Sequence, residues 1–89
     1  MNKDIEGLRK KIDEIDSKII GLLRDRLNVA RNIGSYKKKN GLPIRDFRRE
    51  KEILNRIAEK AKEQGIKDIK KIKKVYAKIM ESCRDVQRK

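Results

Sequence analysis

Two cations stand on a helical face that is otherwise apolar. Stepping by threes and fours from residue 12 meets Ile12, Ile15, Ile19, Leu22, Ala30 and Ile33, and the same steps land on Arg26 and Lys37. Eleven helical residues make three turns within ~20°, so the two side chains point the same way about 16 Å apart. A second such stripe, through Ile72, Tyr76, Ile79 and Cys83, ends on Gln87. Between them, Asp46, Arg49, Glu50 and Ile53 share one side of a further helical segment. An inward-facing cation is costly unless an anion satisfies it. Two readings follow. Either Arg26 and Lys37 pair with carboxylates of the chain, such as Glu50, or snorkel outward, or they line a pocket that holds a small anion.

The segments that must position these residues are marked by breaks in the pattern. Asn40-Gly41-Leu42-Pro43 reads as a helix stop followed by an extended joint, and Gln64-Gly65 as a second stop. Asp46 and Asp68 are suited to cap the helices that follow. The chain therefore divides into helices over about 4–39, 46–63 and 68–88. The first, of roughly 35 residues, spans ~50 Å, longer than a compact domain of this size is wide. Such a helix projects beyond its own chain, and a partner must cover it. Gly21 and Gly34 inside it each cost about 1 kcal/mol against alanine, for which close helix packing is the expected compensation. Arg9 lies 28 residues before Lys37, about 42 Å along the same helix. It cannot serve a site at Lys37 in its own chain, but in an antiparallel dimer it would enter the partner's.

Composition supports a thin core completed by association. Of 89 residues, 36% are hydrophobic, 3% aromatic and 46% charged, close to the composition of disordered chains were it not for the helical spacing. One domain over 1–89 is expected. The formal charge of +13 without histidine implies an anionic partner. Lys67, Lys70, Lys71, Lys73, Lys74 and Lys78 would suit nucleic-acid phosphates. With only Phe47, Tyr36 and Tyr76 available to stack on bases, a solvated face is the better reading, and no specific nucleic-acid partner is expected. The single cysteine, Cys83, excludes an internal disulfide and a cysteine-rich metal site. The absence of a signal-like apolar run or membrane span implies a cytoplasmic protein without a membrane partner.

The order of these residues resembles the all-helical chorismate mutases (the AroQ type). The resemblance runs through Leu8-Arg9-Lys10-Lys11-Ile12-Asp13-Glu14-Ile15-Asp16, Leu22-Leu23-Arg24-Asp25-Arg26, Lys37, Pro43-Ile44-Arg45-Asp46-Phe47-Arg48-Arg49-Glu50 and Gln87, nearly the whole chain. It implies an all-α fold of three helices per chain, in an intertwined homodimer with two sites. It also implies the conversion of chorismate to prephenate without cofactor or metal. By resemblance, Arg9 is the arginine donated across the interface and Arg26 the resident one, both gripping substrate carboxylates. Lys37 and Gln87 contact the ether oxygen, Glu50 and the Asp46 backbone receive the ring hydroxyl, and Arg49 supports the carboxylate end. Cys83 stands where the family's best-known members carry a small hydroxyl residue, and a thiol is a poor donor.

The chemistry suits a chain lacking histidine, a phosphate loop and a nucleophile–base pair. A pericyclic rearrangement needs orientation of the substrate and donors aimed at the oxygen on which negative charge grows. An isochorismate–pyruvate lyase on the same scaffold is the nearest rival; Glu50, usually missing in those relatives, disfavours it. A basic nucleic-acid-binding helical module and an inactive relative are the others. Retention of Arg9, Arg26, Lys37, Arg49, Glu50 and Gln87 argues against the last.

Overall fold

A computed structural model describes residues 2–89, and all regular structure among them is helical: α1 (Asn2–Lys39), α2 (Phe47–Glu63) and α3 (Ile69–Gln87). The ends follow from local chemistry. At the end of α1, Gly41 adopts φ +64°, which lets the Leu42 amide donate to the Lys37 carbonyl at 2.8 Å and the Gly41 amide to Lys38 at 3.5 Å. That left-handed cap satisfies carbonyls the helix would otherwise orphan. Gly65, with φ +78°, closes α2 in the same way, through Ile66 to Ala61 at 2.9 Å and Gly65 to Lys62 at 3.0 Å. Asp46 and Asp68 each accept a backbone N–H at the start of α2 and α3, from Arg49 at 3.0 Å and Lys71 at 3.1 Å. The helix boundaries read from the sequence therefore hold, apart from a slightly earlier start of α1.

Helix α3 is the centre of the fold. It packs against both α1 and α2, whereas α1 and α2 do not pack on each other among the described residues. Contacts from Glu50 to Arg84 and from Ile53 and Ile57 to Met80 make α2 and α3 an antiparallel pair. Those from Arg26 to Cys83 and from Lys37 to Gln87 lay α3 parallel to the C-terminal half of α1. The core is correspondingly small. Ile53, Ile57 and Met80 form its buried centre, with Leu54, Ile72 and Tyr76 packed around them, and Ala30, Ala61 and Cys83 are also buried.

The rest of α1 stands outside that core. The chain measures 59 × 25 × 16 Å with a radius of gyration of 16.6 Å, against about 12 Å for a compact domain of this length. Along the projecting helix Leu8 is 61% and Ile12 56% exposed, and Ile15, Ile19 and Leu22 continue the same uncovered apolar stripe.

Gly21 and Gly34, both inside α1, differ. A Cβ on Gly34 would sit 2.8 Å from the Gln87 Cα and 3.0 Å from its Cβ, so the missing side chain is what lets the last turn of α3 reach α1. Gly21 has nothing within 4 Å of such an atom, and the close packing expected there is not found within the chain.

Gly34→Ala should therefore destabilise the protein, because overpacking by about 1–3 kcal/mol outweighs the ~1 kcal/mol gained in helix propensity. Thermal unfolding followed by circular dichroism checks this. An increase in Tm would contradict the close approach of α3 to α1 at this point.

Candidate functional site

Because α3 separates α1 from α2, the space between those two helices is a cleft with α3 as its floor. Its volume is about 510 Å³, and it is open to solvent, within the usual range for small-molecule sites. Arg26, Val29, Ala30, Ile33 and Lys37 form the α1 wall. Ile44 and Asp46 from the joint, with Arg49, Glu50, Ile53 and Arg56 from α2, form the opposite wall. Met80, Cys83, Arg84 and Gln87 line the floor. The cleft thus brings together seven of the eight residues singled out in the sequence: Arg26, Lys37, Asp46, Arg49, Glu50, Cys83 and Gln87. Arg9 is the eighth. It lies far along α1, 71% exposed, and pairs with Glu6 at 3.1 Å within the same helix.

The two cations on the apolar stripe are both half-buried, and among the described residues neither forms an ion pair with a carboxylate. Arg26 Nη1 donates to the Cys83 Sγ at 2.8 Å. Lys37 Nζ donates to the Ile44 carbonyl at 2.6 Å and to Gln87 Oε1 at 2.9 Å. These are neutral acceptors. They hold the cations in place without cancelling their charge. The alternative in which Glu50 neutralises them does not hold. Glu50 instead accepts from Arg84 Nη1 at 2.9 Å and from Arg45 at 3.3 Å.

The arrangement around Lys37 has a chemical consequence. A glutamine amide carries one acceptor oxygen and two N–H donors. With Oε1 engaged by Lys37, the donor side of Gln87 is free to turn to a guest. Lys37 also ties α1 to the joint through Ile44, whose backbone oxygen carries no signature in the sequence. Two further cations of the lining were not singled out beforehand. Arg56 extends the row of Arg49 and Ile53 along α2, and Arg84 falls beside Cys83 in a charged stretch. Arg49 itself is half-exposed at the rim and lies 3.5 Å from Glu52.

A cleft of this kind orients and polarises a small anion. Its cations supply charge-assisted hydrogen bonds, and its apolar wall excludes water from part of the guest. Among the described residues no group of histidine, cysteine, aspartate and glutamate side chains has the geometry of a metal site, and no helix is long and apolar enough to cross a membrane.

Comparison with known proteins places this geometry in a family. Residues 8–88 match the family described as chorismate mutase type II. A chorismate mutase of Methanocaldococcus jannaschii is 41% identical over 66 residues, which are 74% of this chain and 67% of that protein. A bifunctional chorismate mutase/prephenate dehydratase of Aquifex aeolicus is 35% identical over 89 residues, 98% of this chain but only 25% of that protein. The chain thus spans about two thirds of the one relative and a quarter of the other. Among solved structures, a conserved hypothetical protein from Pyrococcus furiosus superposes with a TM-score of 0.75 at 42% identity, covering 93% of each chain. The three-helix fold, the cation-lined cleft between α1 and α2 and the match over nearly its full length agree: the chain belongs to the chorismate mutase type II family.

Proposed function

We propose that the chain rearranges chorismate to prephenate, in a homodimer whose two clefts are each completed by Arg9 of the other copy. The observation that carries this is the pair of half-buried cations, Arg26 and Lys37, facing the cleft with only neutral groups as partners among the described residues. Chorismate is a flexible dicarboxylate, and the reaction needs it folded into a chair-like shape while the ether carbon–oxygen bond breaks. Arg26 takes one carboxylate in a two-point grip, and Arg9 of the partner copy takes the other. Lys37 and the donor side of Gln87 converge on the ether oxygen, where negative charge develops, and stabilise the transition state more than the ground state.

Glu50 and the backbone at Asp46 receive the ring hydroxyl, and Arg49 supports the carboxylate end of the site from the rim. Cys83 lines the floor and serves as the acceptor that holds Arg26 in place. No covalent intermediate is required.

The homodimer is supported by the surface that a single chain leaves uncovered. Leu8, Ile12, Ile15, Ile19 and Leu22 expose an apolar stripe over about four helical turns, ~21 Å, that nothing in the single chain covers. Beside it, Leu23, Leu27, Val75 and Ile79 wall an apolar groove of about 390 Å³ between α1 and α3. A second α1, laid antiparallel, covers the stripe and brings its own Arg9 towards the open side of the cleft.

Two outcomes are expected. Purified protein consumes chorismate with formation of prephenate, followed by the loss of chorismate's ultraviolet absorbance, and Lys37→Ala lowers the rate by at least about 10²–10³ while remaining folded. Near-normal turnover in that variant would contradict the role of Lys37. Second, Arg9→Ala and Lys37→Ala are each poorly active. After unfolding and refolding together in equal amounts they recover about a quarter of wild-type turnover, since half the dimers are mixed and each mixed dimer carries one intact site. No recovery on mixing would show that Arg9 does not act across an interface.

A further inference from the structure

One ion pair in this chain differs from the others. Most of the pairs among the described residues join positions one to four apart on a single helix, whereas Arg84 and Glu50 join α3 to α2. Their side chains are 16% and 17% exposed, while both partners of every other pair except Arg45–Glu50 are about half exposed or more. Exposed pairs contribute little. A shielded, charge-assisted contact at 2.9 Å fixes geometry.

The position of the pair gives that fixing a purpose. Arg84 follows Cys83 and lies one turn before Gln87, so it stands on the same stretch of α3 as the cleft floor. Its Nη1 binds Glu50 Oε2, and Arg45 approaches Oε1 at 3.3 Å from the joint. A carboxylate has about four acceptor positions, so the two contacts leave room for a hydroxyl donor from the cleft. Arg45 is a poor substitute anchor, because it is half-exposed and rests on the Phe47 ring at 4.3 Å. The pairing also offsets the negative charge of Glu50, which would otherwise repel a dianionic guest.

We infer that Arg84 is a positioning residue, whose guanidinium holds the Glu50 carboxylate against α3 so that its remaining acceptor positions face the substrate hydroxyl. This rests on the assignment of Glu50 to that hydroxyl. Arg84 itself acts through Glu50 and makes no contact with the reacting atoms.

The test is a double-mutant cycle on chorismate turnover with Arg84→Met, Glu50→Gln and the two combined, all confirmed as helical by circular dichroism. Arg84→Met is expected to lower kcat/KM roughly tenfold or more, the size of a lost charge-assisted hydrogen bond. In the Glu50→Gln background the same change should cost less than about twofold, because the group it positions is already altered. Equal losses in both backgrounds would overturn the inference and show that Arg84 touches the substrate directly or only supports the fold. Arg84→Lys provides an independent reading where the double variant is too slow to follow. An ammonium can still pair with Glu50, so activity within about threefold of wild type is expected, and a loss equal to that of Arg84→Met would overturn the positioning role. A wild-type chain without chorismate turnover would instead refute the proposed function and this inference with it, whereas an active wild type with an unaffected Arg84→Met refutes the inference alone.

Discussion

Two half-buried positive charges with no carboxylate paired to them among the described residues are the constraint around which this chain is arranged. Withdrawing an ion even partly from water carries a desolvation cost unless something offsets it. The chain could have offset it internally, since Glu50 lines the same cleft. It does not: Glu50 is engaged by Arg84 and Arg45, while Arg26 rests on a thiol and Lys37 on two carbonyl-type oxygens. Neutral acceptors satisfy the hydrogen-bonding demand of the cations and leave their field pointed into the cleft. In the proposed function, a dianionic guest completes the electrostatics that the protein leaves open, and the same field would stabilise charge that appears on the guest as a bond breaks.

The fold supplies the separation that keeps those charges apart from their own acids. Since α3 lies between α1 and α2, the helix bearing Arg26 and Lys37 does not pack on the helix bearing Glu50 among the described residues. What holds the walls at a fixed distance is a small number of contacts: the Gly34–Gln87 approach, the Lys37 bond to Ile44 across the joint, the Arg84–Glu50 pair and the Ile53–Ile57–Met80 centre. This is a modest core for a chain in which nearly half of the residues are charged. The projecting half of α1 adds nothing to it within one chain, so the same helix that builds the cleft wall at one end has an apolar stripe to bury at the other.

Much of this was legible in the sequence because helices impose a strict period. Arg26 and Lys37 stood out as breaks in a stripe of threes and fours, and Gly41, Gly65, Asp46 and Asp68 marked helix ends through backbone chemistry that depends on near neighbours only. Arg84 was not legible. It sits off the α3 stripe among other cations, and what distinguishes it is a partner 34 residues away on a different helix. The Ile44 carbonyl was hidden for another reason, since every residue has one and only tertiary structure selects it. Gly21 shows the opposite failure: a glycine in a helix suggests close packing, yet within the chain nothing approaches it. Arg9 lies outside the cleft of its own chain, and its proposed place in the cleft of a second copy is one that no periodicity within a single chain fixes.

The most direct measurement of the central claim is calorimetric titration of prephenate, a dicarboxylate that the cleft would hold without onward reaction, into the wild-type protein and into Arg26→Ala. One molecule bound per chain is expected, with affinity at least about tenfold weaker in the variant and falling with added salt in the wild type. Equal affinity in the two proteins, or binding indifferent to salt, would contradict the view that unneutralised cations in the cleft hold the guest.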